Sequence, residues 1–139
     1  LEVDIAGGEE HRVSYSLSNA TAYAGKRVLV VGLGDSALEA IQALVRQPGT
    51  HVVVSYRGKS FAKGSARNIA AVEALVSAGR VRVVWESTLA RVERDQAIVT
   101  TSAGPLAVPC DAVLGLLGGV APRGWLAEIG VWPEKSSIG

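Results

Sequence analysis

The run Gly32-Leu33-Gly34-Asp35-Ser36-Ala37 follows the pattern G-x-G-x-x-A. The pattern alone has little force. It gains force here because an apolar run at residues 28–31 precedes it and helically spaced apolar residues follow it. In that setting Gly32 permits the tight turn, and Gly34 lets a pyrophosphate approach the backbone. Ala37 is small enough for helix and strand to pack closely. The first N–H groups of the helix lack intrahelical partners and carry a partial positive charge, which suits phosphate. The plainer reading is a compact turn without a ligand. Asp35 and Ser36 also have a plain reading, as caps of the helix. The Ser36 hydroxyl has a second one, as a donor to the pyrophosphate.

The end of the next strand says which dinucleotide. NAD-binding versions of this turn usually place Asp or Glu about 20 residues on, against the ribose 2′-hydroxyl. Here the chain reads Val54-Ser55-Tyr56-Arg57-Gly58-Lys59, with Lys63 shortly after and no carboxylate. A carboxylate would repel a 2′-phosphate, whereas a guanidinium grips it with two hydrogen bonds. The expectation is therefore NADPH, with NADH as the alternative. Tyr56 or Arg57 would stack on the adenine. Lys59 taken alone reads as an ordinary solvated lysine.

These residues need elements to hold them. Residues 12–17 alternate and predict a short strand, and 18–25 a loop. Residues 28–31 and 52–54 are buried strands. Between them Ala37, Leu38, Ile41, Leu44 and Val45 recur at helical spacing, ended by Pro48-Gly49. A second helix runs over 65–78, with Ile69, Val72, Leu75 and Val76 as its stripe and Gly79 closing it. Residues 81–85 form a third strand. Three short strands at 89–93, 97–101 and 106–108 read as an antiparallel meander. A further strand is expected over 112–117 and a short helix over 124–129. Residues 134–139 read as a polar tail. This order predicts an α/β, Rossmann-like three-layer domain with a central parallel sheet, flanking helices and a three-stranded antiparallel β-meander.

Composition sets the outer bounds. The chain has 139 residues, 48 % hydrophobic and 19 % charged, which fits one globular domain. A formal net charge of +1 gives no global reason to expect nucleic acid or an anionic membrane, so anion recognition must be local. Cys110 is the sole cysteine and reads as a small buried residue; His11 and His51 lie far apart, and no metal-ligand spacing occurs. No apolar run is long enough to span a bilayer and no signal-peptide pattern opens the chain, so a cytoplasmic location is expected by default.

The stretch from Tyr23 through the glycine turn to Ala40 resembles the pyridine-nucleotide domain of thioredoxin-reductase-like flavoproteins. It is most similar to the branch with ferredoxin–NADP reductases and bacillithiol-disulfide-reductase-like enzymes. Ser55-Tyr56-Arg57, Phe61-Ala62-Lys63 and Asn68 resemble that branch's basic segment; residues 116–122 and 126–131 resemble its closing strand and loop. The resemblance covers roughly residues 12 to 131. It implies hydride transfer from the nicotinamide C4 of NADPH to the N5 of FAD, with the protein orienting the cofactor. It places Glu39 near the nicotinamide or its carboxamide; without it, Glu39 reads as a solvated helix residue. It also places the Gly118 backbone near the nicotinamide end, a tight turn being the other reading.

The departures are informative. No cysteine lies in residues 1–31, so a Cys-x-x-Cys disulfide exchange is not expected. Gly58 stands where a second arginine is common, and Ser65 where a lysine is expected, which weakens the 2′-phosphate site. No FAD-binding motif is present. The resemblance therefore implies an NAD(P)H-binding insert or fragment, with residues 1–25 and 132–139 as interdomain connections. Its partners would be an FAD-binding domain and an unknown electron acceptor, and a homodimer stays open as the assembly. The rival readings are an NADPH-sensing module, a self-sufficient dehydrogenase, and a degenerate site. No catalytic triad, paired carboxylates or activated nucleophile is visible. The chain by itself should bind NADPH yet turn over nothing. Steady loss of NADPH absorbance with purified chain, in the absence of flavin or partner, would contradict this.

Overall fold

In the computed structural model, the residues described are 4–5, 13–14, 17, 19–61 and 64–116. The core is a parallel sheet of five strands in the order β2-β9-β3-β4-β5. These are β2 (Val13–Ser14), β3 (Arg27–Val31), β4 (His51–Ser55), β5 (Val81–Val84) and β9 (Ala112–Gly115). Two helices, α1 (Asp35–Val45) and α2 (Ala66–Ser77), join β3 to β4 and β4 to β5. Both pack on one face of the sheet. The other face is covered by β6 (Thr88–Val92), β7 (Gln96–Thr101) and β8 (Gly104–Pro109), an antiparallel meander.

The unbroken apolar run of β3 follows from this sandwich. Successive side chains of a strand point to opposite faces. Val28 and Val30 join Leu38, Ile41, Leu44 and Val72 on the helix side. Leu29 and Val31 join Leu89, Val92, Val99 and Val108 on the meander side. A strand covered on both faces must be apolar at every position. The order of layers is therefore helices, parallel sheet, antiparallel sheet. The meander stands where a second helix layer would otherwise lie.

Three details go beyond the sequence pattern. A further strand, β1 (Asp4–Ile5), pairs in parallel with β6 and makes the meander sheet four-stranded. It is too short to show a period. The expected loop over 18–25 contains one turn of 3-10 helix, Ala20–Tyr23, whose Thr21 N–H donates to the Asn19 side chain. At the amino ends of β3 and β9, the Arg27 backbone N–H and guanidinium both donate to the Asp111 carboxylate, at 2.8 to 3.2 Å. That bond is the main reason the Arg27 pKa is raised above its ordinary value. The pair is exposed, so it fixes strand alignment more than it adds stability. Cys110 is buried among the residues between the two sheets. The expected helix at 124–129, the tail at 134–139, Lys63 and Gly118 lie outside the described residues.

Leu29 is fully buried between the two sheets. Leu29→Ala should cost about 2–5 kcal/mol of unfolding free energy, the range for a leucine truncated in a packed core. Urea denaturation checks it; a loss below about 1 kcal/mol would mean that the meander does not pack on β3 as described.

Candidate dinucleotide site

β3 and β4 end level with one another, Val31 being paired with Ser55. The glycine turn leaves the first and the basic loop leaves the second. Gly32 follows β3 at once, buried, with φ +116, a left-handed conformation that a side chain would strain. Its N–H donates to the Ser55 carbonyl at 3.1 Å, so the turn is tied to the neighbouring strand. Leu33 is buried in the helix-side core. Gly34 is the N-cap of α1, and the Leu38 N–H donates to its carbonyl at 2.9 Å. A Cβ built on Gly34 meets nothing within 4 Å. The backbone at Gly34 is thus open to an incoming group. Ala37 is fully buried within the helix–sheet cluster, as the third small position of the motif requires. Ser36 is exposed in the first turn of α1.

Asp35, a candidate cofactor-binding residue of the turn, does not cap its own helix, the plainer reading for it; Gly34 holds that position. Its carboxylate turns instead to the second helix. Asp35 Oδ1 accepts the Ser65 N–H at 2.8 Å and the Asn68 Nδ2 amide at 3.0 Å. Ser65 is the N-cap of α2, and its Oγ accepts the Asn68 N–H at 3.2 Å. In an ordinary capping box the third helical residue reaches back to the N-cap N–H. Here Asn68 occupies that place and Asp35, from another helix, accepts the N–H. The Asn68 amide also donates to Glu39 Oε2 at 3.4 Å and accepts from Gln42 Nε2 at 3.1 Å. The Asn68 hydrogen bond, then the Ser65 backbone bond, hold the Asp35 carboxyl below its ordinary value. Glu39 is therefore exposed on the seam between α1 and α2.

The basic loop is held at its start as well. The Tyr56 N–H donates to the Val84 carbonyl, the Ser87 N–H to the Tyr56 carbonyl, and the Glu86 N–H to the Gly58 carbonyl. Arg57 lies between these bonds with its side chain exposed. Lys59 is exposed just beyond. Ser55 is fully buried and its Oγ lies 2.7 Å from the Ser87 Oγ, so its hydroxyl braces β4 rather than facing solvent. The Tyr56 ring packs edge-on to Trp85, which also meets Phe61. Tyr56 is thus half-buried in an aromatic group, and Arg57 is the more exposed of the two stacking candidates. Gly58 has a steric reason: a Cβ there would come within 2.6 Å of Tyr56 Cε2. The arginine common in the resembling family would need that ring displaced.

The sequence pattern brought Gly32, Leu33, Gly34, Asp35, Ser36, Ala37, Glu39, Ser55, Tyr56, Arg57 and Lys59 to one end of the sheet. It did not reveal Trp85, Ser87 or Gly64, nor the role of Asn68 beyond its place in the resemblance. Ser65 was legible as a helix start; its partner thirty residues earlier was not. A cleft lined by Ser14, Tyr23, Lys26 and Asp111 lies at the opposite, amino ends of β3 and β9. Open α/β sheets bind ligands at the carboxyl ends of their strands.

The class this defines is a Rossmann-like α/β fold. Comparisons with known proteins narrow it. The chain is 33 % identical over 139 residues to a ferredoxin–NADP reductase of Thermus thermophilus, covering 94 % of this chain and 40 % of that protein. In fold it is similar to the bacillithiol disulfide reductase of Bacillus cereus, with TM-score 0.78 at 23 % identity, covering 94 % of this chain and 40 % of that one. A thioredoxin reductase of Streptococcus pyogenes gives TM-score 0.67 at 21 % identity, covering 85 % of this chain and 40 % of that one. No family profile matches. In sequence the chain is thus similar to a part of ferredoxin–NADP reductases, and in fold to a part of bacillithiol disulfide and thioredoxin reductases; it spans 34 to 40 % of the length of the curated relatives it matches.

The Asp35 contacts predict a pH dependence. Its folded pKa lies below the ordinary 3.8, so ionisation favours the folded state. That contribution is complete above the ordinary carboxylate range and is lost as pH falls through the lowered folded value. Thermal unfolding of the native chain and Asp35→Asn should show a gap at neutral pH that narrows in acid. A gap that widens in acid would contradict the assignment.

Proposed function

We propose that the chain binds NADPH at the carboxyl ends of β3 and β4 and presents it to FAD held outside this segment. One observation carries the reading: an open helix N-terminus and an exposed arginine leave the level ends of two paired strands. The turn from Gly32 to Ala37 would take the pyrophosphate on backbone N–H groups, with the Ser36 hydroxyl as a further donor. Arg57 would clasp the 2′-phosphate in a bidentate contact, and Lys59 and Lys63 would add charge. Glu39 and Gly118 are proposed for the nicotinamide end. Ser55 acts from behind, by accepting the Gly32 N–H.

When bound, NADPH supplies the hydride, and the flavin of a partner domain accepts it. The chain's own residues bind and orient the donor. Relatives named ferredoxin–NADP reductase support this choice of cofactor. Residues 1–25 and 132–139 are proposed as the connections to the FAD domain. A cytoplasmic location is proposed for the parent protein. Among the described residues no helix is long and apolar enough to cross a membrane.

Arg57→Ala tests the reading by calorimetric titration. NADPH affinity should fall roughly 10- to 100-fold, the loss expected for charge-assisted hydrogen bonds, while NADH affinity changes less than about threefold. An unchanged ratio of the two affinities would overturn the assignment of Arg57, and no binding of either nucleotide would overturn the function.

A further inference from the structure

The glycine turn and the basic loop belong to different crossovers, yet one residue touches both. We infer that Asp35 and Asn68 form a positioning clamp that sets the preference for the phosphorylated dinucleotide. The inference rests on the reading of the site as NADPH-binding and adds to it a pair of side chains that act on the loop and not on the ligand.

Three observations carry it. The loop between β4 and α2 is fixed at its start by the backbone bonds of Tyr56 and Gly58 to the end of β5. Its far end is fixed by Asp35, which accepts from Ser65 and Asn68. The same far end is pressed close: Gly64 has φ +101, and a Cβ there would stand 2.6 Å from Leu38 Cδ1 and 3.2 Å from Asp35 Oδ1. Arg57 and Lys59 are suspended between these two anchors. The distal anchor is the first residue of α1, whose N-terminus faces the proposed pyrophosphate position. The Asp35 carboxylate thus adds a second tie between the glycine turn and the basic loop, beside the Gly32 bond to Ser55.

The clamp also answers an electrostatic difficulty. A carboxylate in the first turn of a phosphate-binding helix opposes an anion. Asp35 is exposed and charged, yet two donors turn it toward α2. Removing Asn68 takes away one donor, which weakens any dinucleotide somewhat. It also loosens the loop, which weakens only the one with a 2′-phosphate.

The test compares the native chain with Asn68→Ala, Asp35→Ala and the double variant, titrated with NADPH and with NADH. Each single variant should lower the NADPH-to-NADH affinity ratio by about tenfold, and the double variant should lower it no further, because both act through one contact. A general loss of stability would shift both affinities together. Asp35→Asn, which keeps an acceptor for the Ser65 N–H, should recover most of the ratio. An unchanged ratio in the single variants, or losses that add in the double, would overturn the clamp. Native chain that binds neither nucleotide would defeat the underlying function. In that case amide exchange still reads the clamp: slow exchange at Ser65 in native chain and fast exchange in Asn68→Ala show the loop is tied.

Discussion

β3 is buried on both faces, with Val28 and Val30 against the helices and Leu29 and Val31 against the meander. Such a strand has no polar surface to offer, so its chemistry must begin where it stops. Gly32 makes that possible within one residue. Its left-handed backbone turns the chain out of the sheet while its N–H stays bonded to Ser55. Everything that follows, from the cap at Gly34 to the direction of α1, takes its position from that exit.

The proposed site works by local charge, since the net charge of +1 gives no long-range attraction for an anion. The helix N-terminus offers backbone dipoles, and Arg57 and Lys59 offer full charges on a loop held by its backbone. Asp35 is the one charge of the wrong sign at the turn. Its bonds to Ser65 and Asn68 give it a structural use and direct it away from the open backbone at Gly34. The same geometry makes the Tyr56–Trp85 contact and the absence of a side chain at Gly58 parts of one choice. A ring packed over residue 58 would have to shift to admit a second arginine there. In the proposed site, recognition of a 2′-phosphate would then fall chiefly to Arg57.

The chain is similar in sequence to ferredoxin–NADP reductases and in fold to bacillithiol disulfide and thioredoxin reductases. One fold serves reductases named for different acceptors. The site on the fold, and not the fold, carries the function.

The order of elements was legible because each rests on near neighbours in the chain. Alternating burial makes β3 apolar throughout, 3.6-residue spacing makes the stripes of α1 and α2, and Gly32, Gly34 and Ala37 meet steric demands within one turn. These are local constraints, and the residue types reveal them directly. The fourth meander strand at Asp4–Ile5, the Ser55–Ser87 pair, the packing of Tyr56 on Trp85 and the turning of Asp35 toward Ser65 and Asn68 were not legible. Each joins residues far apart in sequence, and its partner is chosen only when the layers close. The sequence by itself therefore determined that a glycine turn joins β3 to α1 and that a basic loop follows the next strand. The tertiary structure decided how the two are tied together, because hydrogen bonds between crossovers depend on distances that no local pattern encodes.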